Sequence, residues 1–389
     1  MVVRLRSLVT LTRYCCHLAM APQGAKIAVN NYTGTVANAS ECVDLRSDTV
    51  TLPSAGMKQA MLEAPLGDDV YKEDPSITSL EKRCAELFKK EDALFVASGT
   101  MGNLIAVMVH CQRGDEIIVG RTNHIHRWEQ GNYAQLAGVS ATTLSVRPDG
   151  TMDLQEIEES VRVTDDHMPN TKLICLETTH NFSGGKALSI DYLRKVRNIA
   201  DNHNLAVHID GARIYNAAVA LGVKVSDIAQ YADTVQMCFS KGLGAPIGSI
   251  IVGTHEFVQK ARRQRKALGG GWRQAGMLAA AAEYALDHAD ETINNDHARA
   301  KDLAHGINTL TPEHLKSKLF AVEDGLTNIV IVHCKEPFSP IQVKDFFLER
   351  KVLIMTFDET RLRIVVNNGV NDDGIQKVLS VFEEFVKSH

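Results

Sequence analysis

The sequence predicts an α/β protein: a large domain with a mostly parallel sheet, followed by a small C-terminal α/β domain. The first observation is that short apolar runs alternate with helical periodicity between residues 54 and 290, which is the pattern of βαβ units. The second is that three strand-like runs and two helical segments follow a long helical tract. A length of 389 residues accommodates both domains.

Each predicted element depends on local periodicity. Buried strands of the large domain are expected at 93–96, 116–119, 173–176, 206–209, 235–239 and 249–252. Its helices are expected at 54–62, 77–88, 102–111, 257–266 and 276–310, with a triple glycine at 269–271 between the last two. The small domain is expected to contain strands at 328–333, 352–355 and 361–366, and helices at 341–349 and 374–387.

The domain boundary is expected within residues 287–302, which gives a large domain of residues 43–290 and a small domain of residues 291–389. Residues 1–42 differ in composition, because they contain several basic residues and no acid before Glu41. This composition is typical of a mitochondrial transit peptide, and it equally fits a disordered extension without an address. Mitochondrial and cytoplasmic locations therefore both stay open.

Composition excludes several classes of protein. The formal net charge is −5, with no basic stripe after the N-terminal segment, so no nucleic-acid partner is expected. No uncharged apolar stretch approaches 18 residues, so no membrane span is expected. The eight cysteines lack a CxxC spacing, which favours reduced thiols over disulfides or a metal site.

The most informative side chains are Lys241 and Asp210. Lys241 follows a strand-like run, residues 234–239, and precedes a glycine-rich turn, residues 242–246. An amine at such a position has a fixed stem and a free tip, as a Schiff-base lysine requires. Asp210 ends another apolar run, and side chains at the carboxyl ends of parallel strands face one crevice. A lysine for the aldehyde and a carboxylate for the ring nitrogen predict pyridoxal phosphate.

Ser98, Gly99 and Thr100 join a predicted strand to a predicted helix. Their backbone N–H groups are therefore expected at a helix N-terminus, where a phosphate can bind. An ordinary N-cap would explain the same residues. Their position ahead of Asp210 and Lys241 favours the phosphate.

Several motifs occur in one order along the chain: DLRSDTVT at 44–51, ASGTMGN at 97–103, NHIH at 123–126, HIDGAR at 208–213, SKGL at 240–243 and GGGWRQ at 269–274. Together they resemble the low-specificity L-threonine aldolases. These are fold-type I pyridoxal-phosphate enzymes, with the aspartate aminotransferase-like fold, of the β-eliminating lyase group. The resemblance spans about residues 43 to 386, and this ordered set is more specific than any single motif.

The resemblance implies roles around the cofactor. It implies that Gly99 and Thr100 bind the phosphate and that His124 stacks on the ring opposite the lysine, near the substrate hydroxyl. His167 falls where related enzymes carry a histidine proposed to contact the β-hydroxyl. A lone histidine at either position would otherwise be a loop or core residue.

The resemblance also implies a clamp on the substrate carboxylate. Ser47, Arg213 and Arg363 match residues of this clamp, and Arg213 is expected beside the cofactor as well. Arg361 shares the face of Arg363 by strand alternation, but it is expected to be solvated. Arginine is suited to this task because its planar fork makes two parallel hydrogen bonds to a carboxylate.

Lys266 and Arg273 bracket the triple glycine. The resemblance implies that they reach the cofactor phosphate or substrate of a neighbouring subunit in a homo-oligomer, expected to be a tetramer with sites shared within dimers. A charged helix end beside a glycine break is the alternative. Consecutive glycines within helical periodicity cost stability, which favours a close backbone approach.

The expected reaction is retro-aldol cleavage of L-threonine or L-allo-threonine to glycine and acetaldehyde. Another fold-type I enzyme acting on a small amino acid, an aminotransferase or a racemase, would share the lysine and the aspartate. A cofactor-free lysine aldolase on a TIM barrel needs eight βα units, and the small C-terminal domain disfavours it. A non-catalytic relative would lack Lys241 or Asp210.

Overall fold

A computed structural model describes residues 39–388. Its strands are β1 Val43–Asp44, β2 Asp92–Val96, β3 Glu116–Gly120, β4 Ser140–Leu144, β5 Thr171–Glu177, β6 Ala206–Asp210, β7 Thr234–Cys238, β8 Ser249–Gly253, β9 Leu319–Ala321, β10 Ile329–Cys334, β11 Val352–Leu353, β12 Met355–Thr356 and β13 Arg361–Val365. Short 3₁₀ helices lie at Ala39–Glu41, Asp48–Val50, Asn181–Ser183 and Glu313–Leu315.

The α-helices connect and cover these strands. They are α1 Ala55–Glu63, α2 Pro75–Phe88, α3 Gly99–His110, α4 His124–Arg127, α5 Asn132–Gln135, α6 Leu154–Glu159, α7 Ile190–Asn202, α8 Ile214–Leu221, α9 Val225–Ala229, α10 His255–Ala267, α11 Gly276–Asp287, α12 Ala289–Leu310, α13 Pro340–Glu349 and α14 Asp372–Lys387. No helix within residues 39–388 is both long and apolar enough to cross a membrane.

The main sheet has seven strands in the order β2-β8-β7-β6-β5-β3-β4. Only β8 runs antiparallel to its neighbours, β2 and β7, in this sheet. The central strands are buried along their whole length because helices cover both faces. The predicted fold class is therefore confirmed.

A second, antiparallel sheet has the order β12-β13-β10-β9 and packs with α12, α13 and α14 around its own apolar core. The long helix α12 joins the two units: Ala289 and Ile293 lie in the core of the large unit, and Ala300 to Ile307 lie in the other. Strand β1 pairs with β11, and Leu45 lies in the second core. The N-terminal arm therefore packs on the C-terminal unit, although the sequence assigns it to the large domain.

Other elements differ from the sequence prediction. The edge strand β4 is half-exposed and rich in threonine, so it lacks the apolar run of a buried strand. Helix α7 was not predicted, although its buried residues have helical spacing. The expected domain division at residue 290 stays a prediction. The expected targeting segment lies almost wholly in residues 1–38, outside the described residues.

Candidate active site

The carboxyl ends of the parallel strands form one cavity. Strands β6 and β7 are hydrogen-bonded neighbours, so Asp210 at the end of β6 and Lys241 just after β7 reach the same crevice. Six of the residues predicted from the sequence line this cavity: Ser47, His124, Asp210, Arg213, Lys241 and Arg363. Lys241 and Asp210 therefore line one cavity at this edge of the sheet, as the sequence predicted.

Asp210 is held as a buried acceptor. Asp210 is the last residue of the buried strand β6, and it is 2% exposed. Oδ1 accepts the backbone N–H of Ala212 at 3.1 Å, and Oδ2 accepts an N–H of the Asn103 side chain at 2.9 Å. These bonds fix the carboxylate at the cavity wall, where burial without partners would be costly.

The turn after β7 fixes the backbone of Lys241. Its carbonyl accepts the N–H of Gly244 at 2.9 Å and the hydroxyl of Thr51 at 3.1 Å. Gly244 has φ +81°, and a Cβ there would lie 2.5 Å from the Asn368 side chain. Glycine is therefore needed for this turn, and the turn aims the lysine into the cavity.

His124 begins α4 and belongs to a buried hydrogen-bond network. Its Nδ1 lies 2.9 Å from Oε1 of Glu129, and its backbone N–H donates to Glu177 at 2.6 Å. Burial lowers the pKa of His124, but the Glu129 hydrogen bond and the charge of Asp210 outweigh it, so the pKa is raised. Burial raises the pKa of Glu129, and the nearby Asp210 carboxylate raises it further.

Arg213 lines the cavity as expected, and two of its donors already have a partner; its role toward the substrate stays a prediction. Its Nε and Nη2 donate to the two oxygens of Asp48, both at 2.6 Å. Burial alone would raise the pKa of Asp48, but Arg213, Lys241 and Arg363 lower it to about 2. The fork of Arg213 therefore already binds an internal carboxylate, so those two donors do not bind the substrate in this arrangement.

Arg363 reaches the cavity from β13, and its Nη1 donates to the Arg46 carbonyl at 3.2 Å. Ser47 also lines the cavity and caps the 3₁₀ helix that starts at Asp48. Arg361, which was expected to be solvated, is partly exposed, with 23% of its side chain accessible. Its Nε donates to Asp358 at 2.6 Å, and its guanidinium lies 4.9 Å from the centre of the Phe357 ring.

Gly99 and Thr100 begin helix α3, and Ser98 caps this helix by accepting the N–H of Met101 at 3.2 Å. The helix start packs closely on β7, because a Cβ on Gly99 would lie 2.8 Å from the Cys238 sulfur. One turn later, Asn103 of the same helix contacts Asp210. Gly99 and Thr100 are not among the residues that line the cavity, so their expected contact with the phosphate stays a prediction that relies on the general affinity of helix N-termini for anions.

Three predicted residues do not join the others. His167 is in an exposed loop, with 91% of its side chain exposed, and its described hydrogen bonds are with Asp165. Its expected contact with the β-hydroxyl therefore has no support in this chain. Lys266 lies along Gly271, and Arg273 pairs with Asp68 at the surface. Their roles in a neighbouring subunit stay predictions.

Sequence reasoning missed four residues that organise the cavity, namely Asp48, Asn103, Glu129 and Glu177. Glu177 had a readable signal, because it ends the buried strand β5 as Asp210 ends β6. Glu129 and Asp48 had no such signal: Asp48 is one acid of the motif at 44–51, and Glu129 is an acid shortly after the motif at 123–126. The role of Asp48 depends on a partner far along the chain, because it pairs with Arg213, 165 residues away.

The residues fit pyridoxal phosphate. An amine, a buried carboxylate, an imidazole and a helix N-terminus are the groups that this cofactor's aldehyde, ring nitrogen, ring face and phosphate require. Asn181 adds a buried side-chain oxygen in the cavity wall that accepts no hydrogen bond from residues 39–388. The cavity thus offers polar atoms for a ligand as well as fixed charges.

Comparison with known proteins agrees with this geometry. Residues 44–334 match the model of the beta-eliminating lyase family. An uncharacterised protein of Caenorhabditis elegans is 62% identical over 89% of this chain and 84% of its own length. Low-specificity L-threonine aldolase 1 of Arabidopsis thaliana is 44% identical over 88% of this chain and 96% of its own length.

The fold agrees as well. A solved structure of the threonine aldolase of Leishmania major superposes with a TM-score of 0.73 at 18% identity, and covers 88% of this chain and 99% of that one. The resemblance inferred from the motifs is therefore confirmed. This chain belongs to the beta-eliminating lyase family and, within it, to the low-specificity L-threonine aldolases.

Proposed function

We propose that this chain is a carbon–carbon lyase that cleaves L-threonine and L-allo-threonine to glycine and acetaldehyde. Its cofactor is pyridoxal phosphate, which, when bound, accepts the electrons of the bond that breaks. The observation that carries this function is that Lys241 and Asp210 face one cavity with Arg363 and Ser47. An amine, a ring-nitrogen partner and a carboxylate clamp are thus available at one place.

Each side chain has a defined task in the cleavage. Lys241 holds the cofactor through its amine, and Asp210 keeps the ring nitrogen protonated. Arg363 and Ser47 bind the substrate carboxylate, and a fixed carboxylate determines which bond of the α-carbon is cleaved. Asp48 keeps Arg213 buried and neutralised beside them.

His124 is the candidate base, acting directly or through a water. Since Nδ1 faces Glu129, Nε2 is the atom that receives the β-hydroxyl proton. The Cα–Cβ bond then breaks, the β-carbon leaves as acetaldehyde, and protonation of Cα gives glycine. A positioned base of this kind contributes roughly 10² to 10⁴ in rate.

The test is Lys241→Ala. We expect a folded protein with almost no formation of glycine and acetaldehyde from threonine, while Lys260→Ala, on the exposed face of α10, retains wild-type turnover. Near-normal cleavage by Lys241→Ala would reject the assignment. Transfer of the amino group to a keto acid, or racemisation of alanine, as the main wild-type activity would favour the aminotransferase or racemase alternative.

We further propose that the active protein is a homo-oligomer, a tetramer, in which Lys266 and Arg273 complete the site of a second copy. In support, both side chains lie outside the cavity of their own chain, and that of Arg273 is 57% exposed. The triple glycine also brings the chain close to Lys266: a Cβ on Gly271 would lie 2.4 Å from its side chain.

Subunit mixing tests this arrangement. Lys241→Ala and Arg273→Ala protomers, each inactive alone, should recover part of the activity after reassembly, because hybrid oligomers contain one intact site. Absence of recovery, with subunit exchange proven by mass spectrometry, would contradict shared sites.

A further inference from the structure

A buried carboxylate, Glu129, contacts the ring of His124 but is not among the residues that line the cavity. The Glu129 side chain is 0% exposed, whereas that of His124 is 34% exposed. Glu129 Oε1 lies 2.9 Å from Nδ1 of His124 and accepts an Asn103 N–H at 2.8 Å, and Oε2 accepts an N–H of Asn132 at 3.3 Å. A buried charge with this many donors is held in a single orientation.

Asn103 joins this carboxylate to the one at the cavity wall. Its side-chain nitrogen donates both to Glu129 and to Oδ2 of Asp210. One amide group has two N–H donors, so it satisfies both carboxylates at once. Asn103 therefore bridges the two acids, although the charge of Asp210 still raises the pKa of Glu129.

The orientation of the Asn103 amide is in turn fixed by His208. Its Oδ1 lies 3.0 Å from Nε2 of His208, and Nδ1 of His208 lies 2.9 Å from the hydroxyl of Thr234. Burial lowers the pKa of His208 to about 3, so this imidazole is neutral. A neutral ring that receives the Thr234 proton at Nδ1 donates from Nε2, and Asn103 must then point its nitrogen at the two acids.

The same reasoning extends this network to the end of α3. Nε2 of His110 lies 3.1 Å from the Thr234 hydroxyl, and burial lowers the pKa of His110 to about 4. If the neutral His110 carries its proton on Nε2, it donates to Thr234, whose own proton then goes to His208. Every donor in the series from His110 to Asn103 therefore has an acceptor.

From this geometry we propose that Glu129 is a positioning residue for the reaction. It holds His124 with the Nδ1 proton directed at Glu129 and Nε2 directed at the substrate hydroxyl. Asn103 fixes Glu129 relative to Asp210, because its amide donates to both. This inference rests on the proposed function. Glu129 is fully buried and is absent from the cavity lining, so it acts through His124 rather than on the substrate.

The charged groups around His124 make this assignment specific. Those that face it come from four elements: Glu129 after α4, Asp210 from β6, Lys241 after β7 and Glu177 from β5. Glu177 contacts only the backbone N–H of His124, and Lys241 lowers rather than raises the imidazole pKa. Glu129 is the group that contacts the ring itself and favours its proton.

Glu129→Gln is the informative substitution. It keeps the size of the side chain but removes the negative charge, and one amide oxygen must replace two carboxylate oxygens. If that oxygen stays with His124 and Asn103, the amide N–H₂ faces the donor of Asn132. Glu116→Gln is a matched control, because Glu116 is a buried carboxylate, 4% exposed, at the opposite end of β3.

The first readout is the imidazole itself. In full-length holoenzyme with isotope-labelled histidine, NMR titration gives the pKa and neutral tautomer of His124, assigned through a His124→Asn variant. We expect Glu129→Gln to lower that pKa by about one unit or more, with no change in Glu116→Gln. An unchanged His124 pKa and tautomer in Glu129→Gln would overturn the inference.

The second readout is the pH dependence of kcat/KM for threonine. The acidic limb should move to lower pH in Glu129→Gln, because the weaker base loses its proton earlier, and kcat should fall roughly 10-fold or more with little change in KM. Glu129→Asp should restore the wild-type limb in part. An unshifted limb with a lower rate at every pH would show a packing defect and reject the positioning role.

The two readouts separate this inference from the proposed function. If the wild-type protein produces no acetaldehyde from threonine, the proposed function fails, whatever the NMR shows. If it does produce acetaldehyde and His124 is unaffected by Glu129→Gln, only the positioning role fails.

Discussion

The buried carboxylates on the two sides of the Lys241 turn differ in their partners. On the cavity side, Asp48 accepts two hydrogen bonds from Arg213 and one from Asn328. On the side of helix α12, Asp296 is 0% exposed, and neither of its oxygens accepts a hydrogen bond from residues 39–388. The two buried acids therefore differ sharply in the hydrogen bonds that they accept.

Their protonation differs accordingly. Burial would raise the pKa of Asp48, but Arg213 and other nearby cations lower it to about 2. Burial raises the pKa of Asp296 to about 7, and the charge of Asp48 adds to that rise. The site thus retains its negative charges through fixed cations, whereas a buried acid without such partners becomes neutral near physiological pH.

The largest expected effect comes from breaking the paired side. Asp48→Asn leaves the buried Arg213 without its counter-ion, and loss of one partner of a buried pair costs about 3–5 kcal/mol. We expect the urea unfolding midpoint of the holoenzyme to fall accordingly at pH 7. The Asp48 contribution is present above about pH 4 and is lost as pH falls toward 2. An unchanged midpoint at pH 7 would contradict the pairing.

Removing the carboxylate of Asp296 should raise the free energy of unfolding, whereas removing that of Asp48 should lower it. The folded pKa of Asp296, about 7, is above its ordinary value of 3.8, so the group favours the folded state only at low pH and stability is lost as pH rises toward 7. Asp296→Asn should therefore stabilise the protein increasingly between pH 4 and 7. The gain reaches up to about 4 kcal/mol at pH 8, from about three units at 1.4 kcal/mol each.

Urea unfolding at pH 5, 6, 7 and 8 checks this prediction. Asp302→Asn, an exposed acid of the same helix, serves as the control and should give no pH-dependent gain. A midpoint difference between wild type and Asp296→Asn that stays constant with pH would mean that Asp296 is ionised in the folded protein, and the contrast with Asp48 would fail.

A smaller effect is expected at Arg363, the cavity arginine proposed to bind the substrate carboxylate. Arg363→Ala should lower kcat/KM for threonine by at least about 100-fold, since each hydrogen bond to a charged group contributes about 1.5–3 kcal/mol. Arg363→Lys should not restore it, because an ammonium cannot make the planar two-point contact. The measurement is steady-state kinetics with the cofactor spectrum monitored.

Arg361→Ala is the matched control on the same strand. Its guanidinium pairs with Asp358 and packs on Phe357 outside the cavity lining, so kcat/KM should change little. Equal losses in Arg361→Ala and Arg363→Ala would mean that the clamp is misplaced.

Much of the fold was predictable because the buried strands of the main sheet contain short apolar runs, as in β3 and β8. The edge strand β4 was not predicted, because its half-exposed threonines do not form an apolar run. The predicted helix 276–310 is two helices that meet at His288, and neither glycine nor proline marks this break in the sequence.

The cavity was predictable where a side chain ends a strand, as Asp210 does, or follows one, as Lys241 does. Pairings across the chain were not. The sequence matched Arg213 to a substrate clamp, but no local pattern reveals that Asp48 occupies its fork. His167 was assigned from the resemblance, by its position along the chain, and the structure leaves its side chain exposed.

The central claim is that Lys241 carries the cofactor opposite Asp210, and borohydride reduction tests it most directly. Purified full-length protein is reduced, digested and examined by mass spectrometry, with Asp210→Asn and Lys241→Ala treated in parallel. We predict a pyridoxyl group on the peptide containing Lys241 in wild type and Asp210→Asn, and no specific label in Lys241→Ala. Stoichiometric label on a different lysine, or no label on cofactor-saturated wild-type protein, would contradict the account.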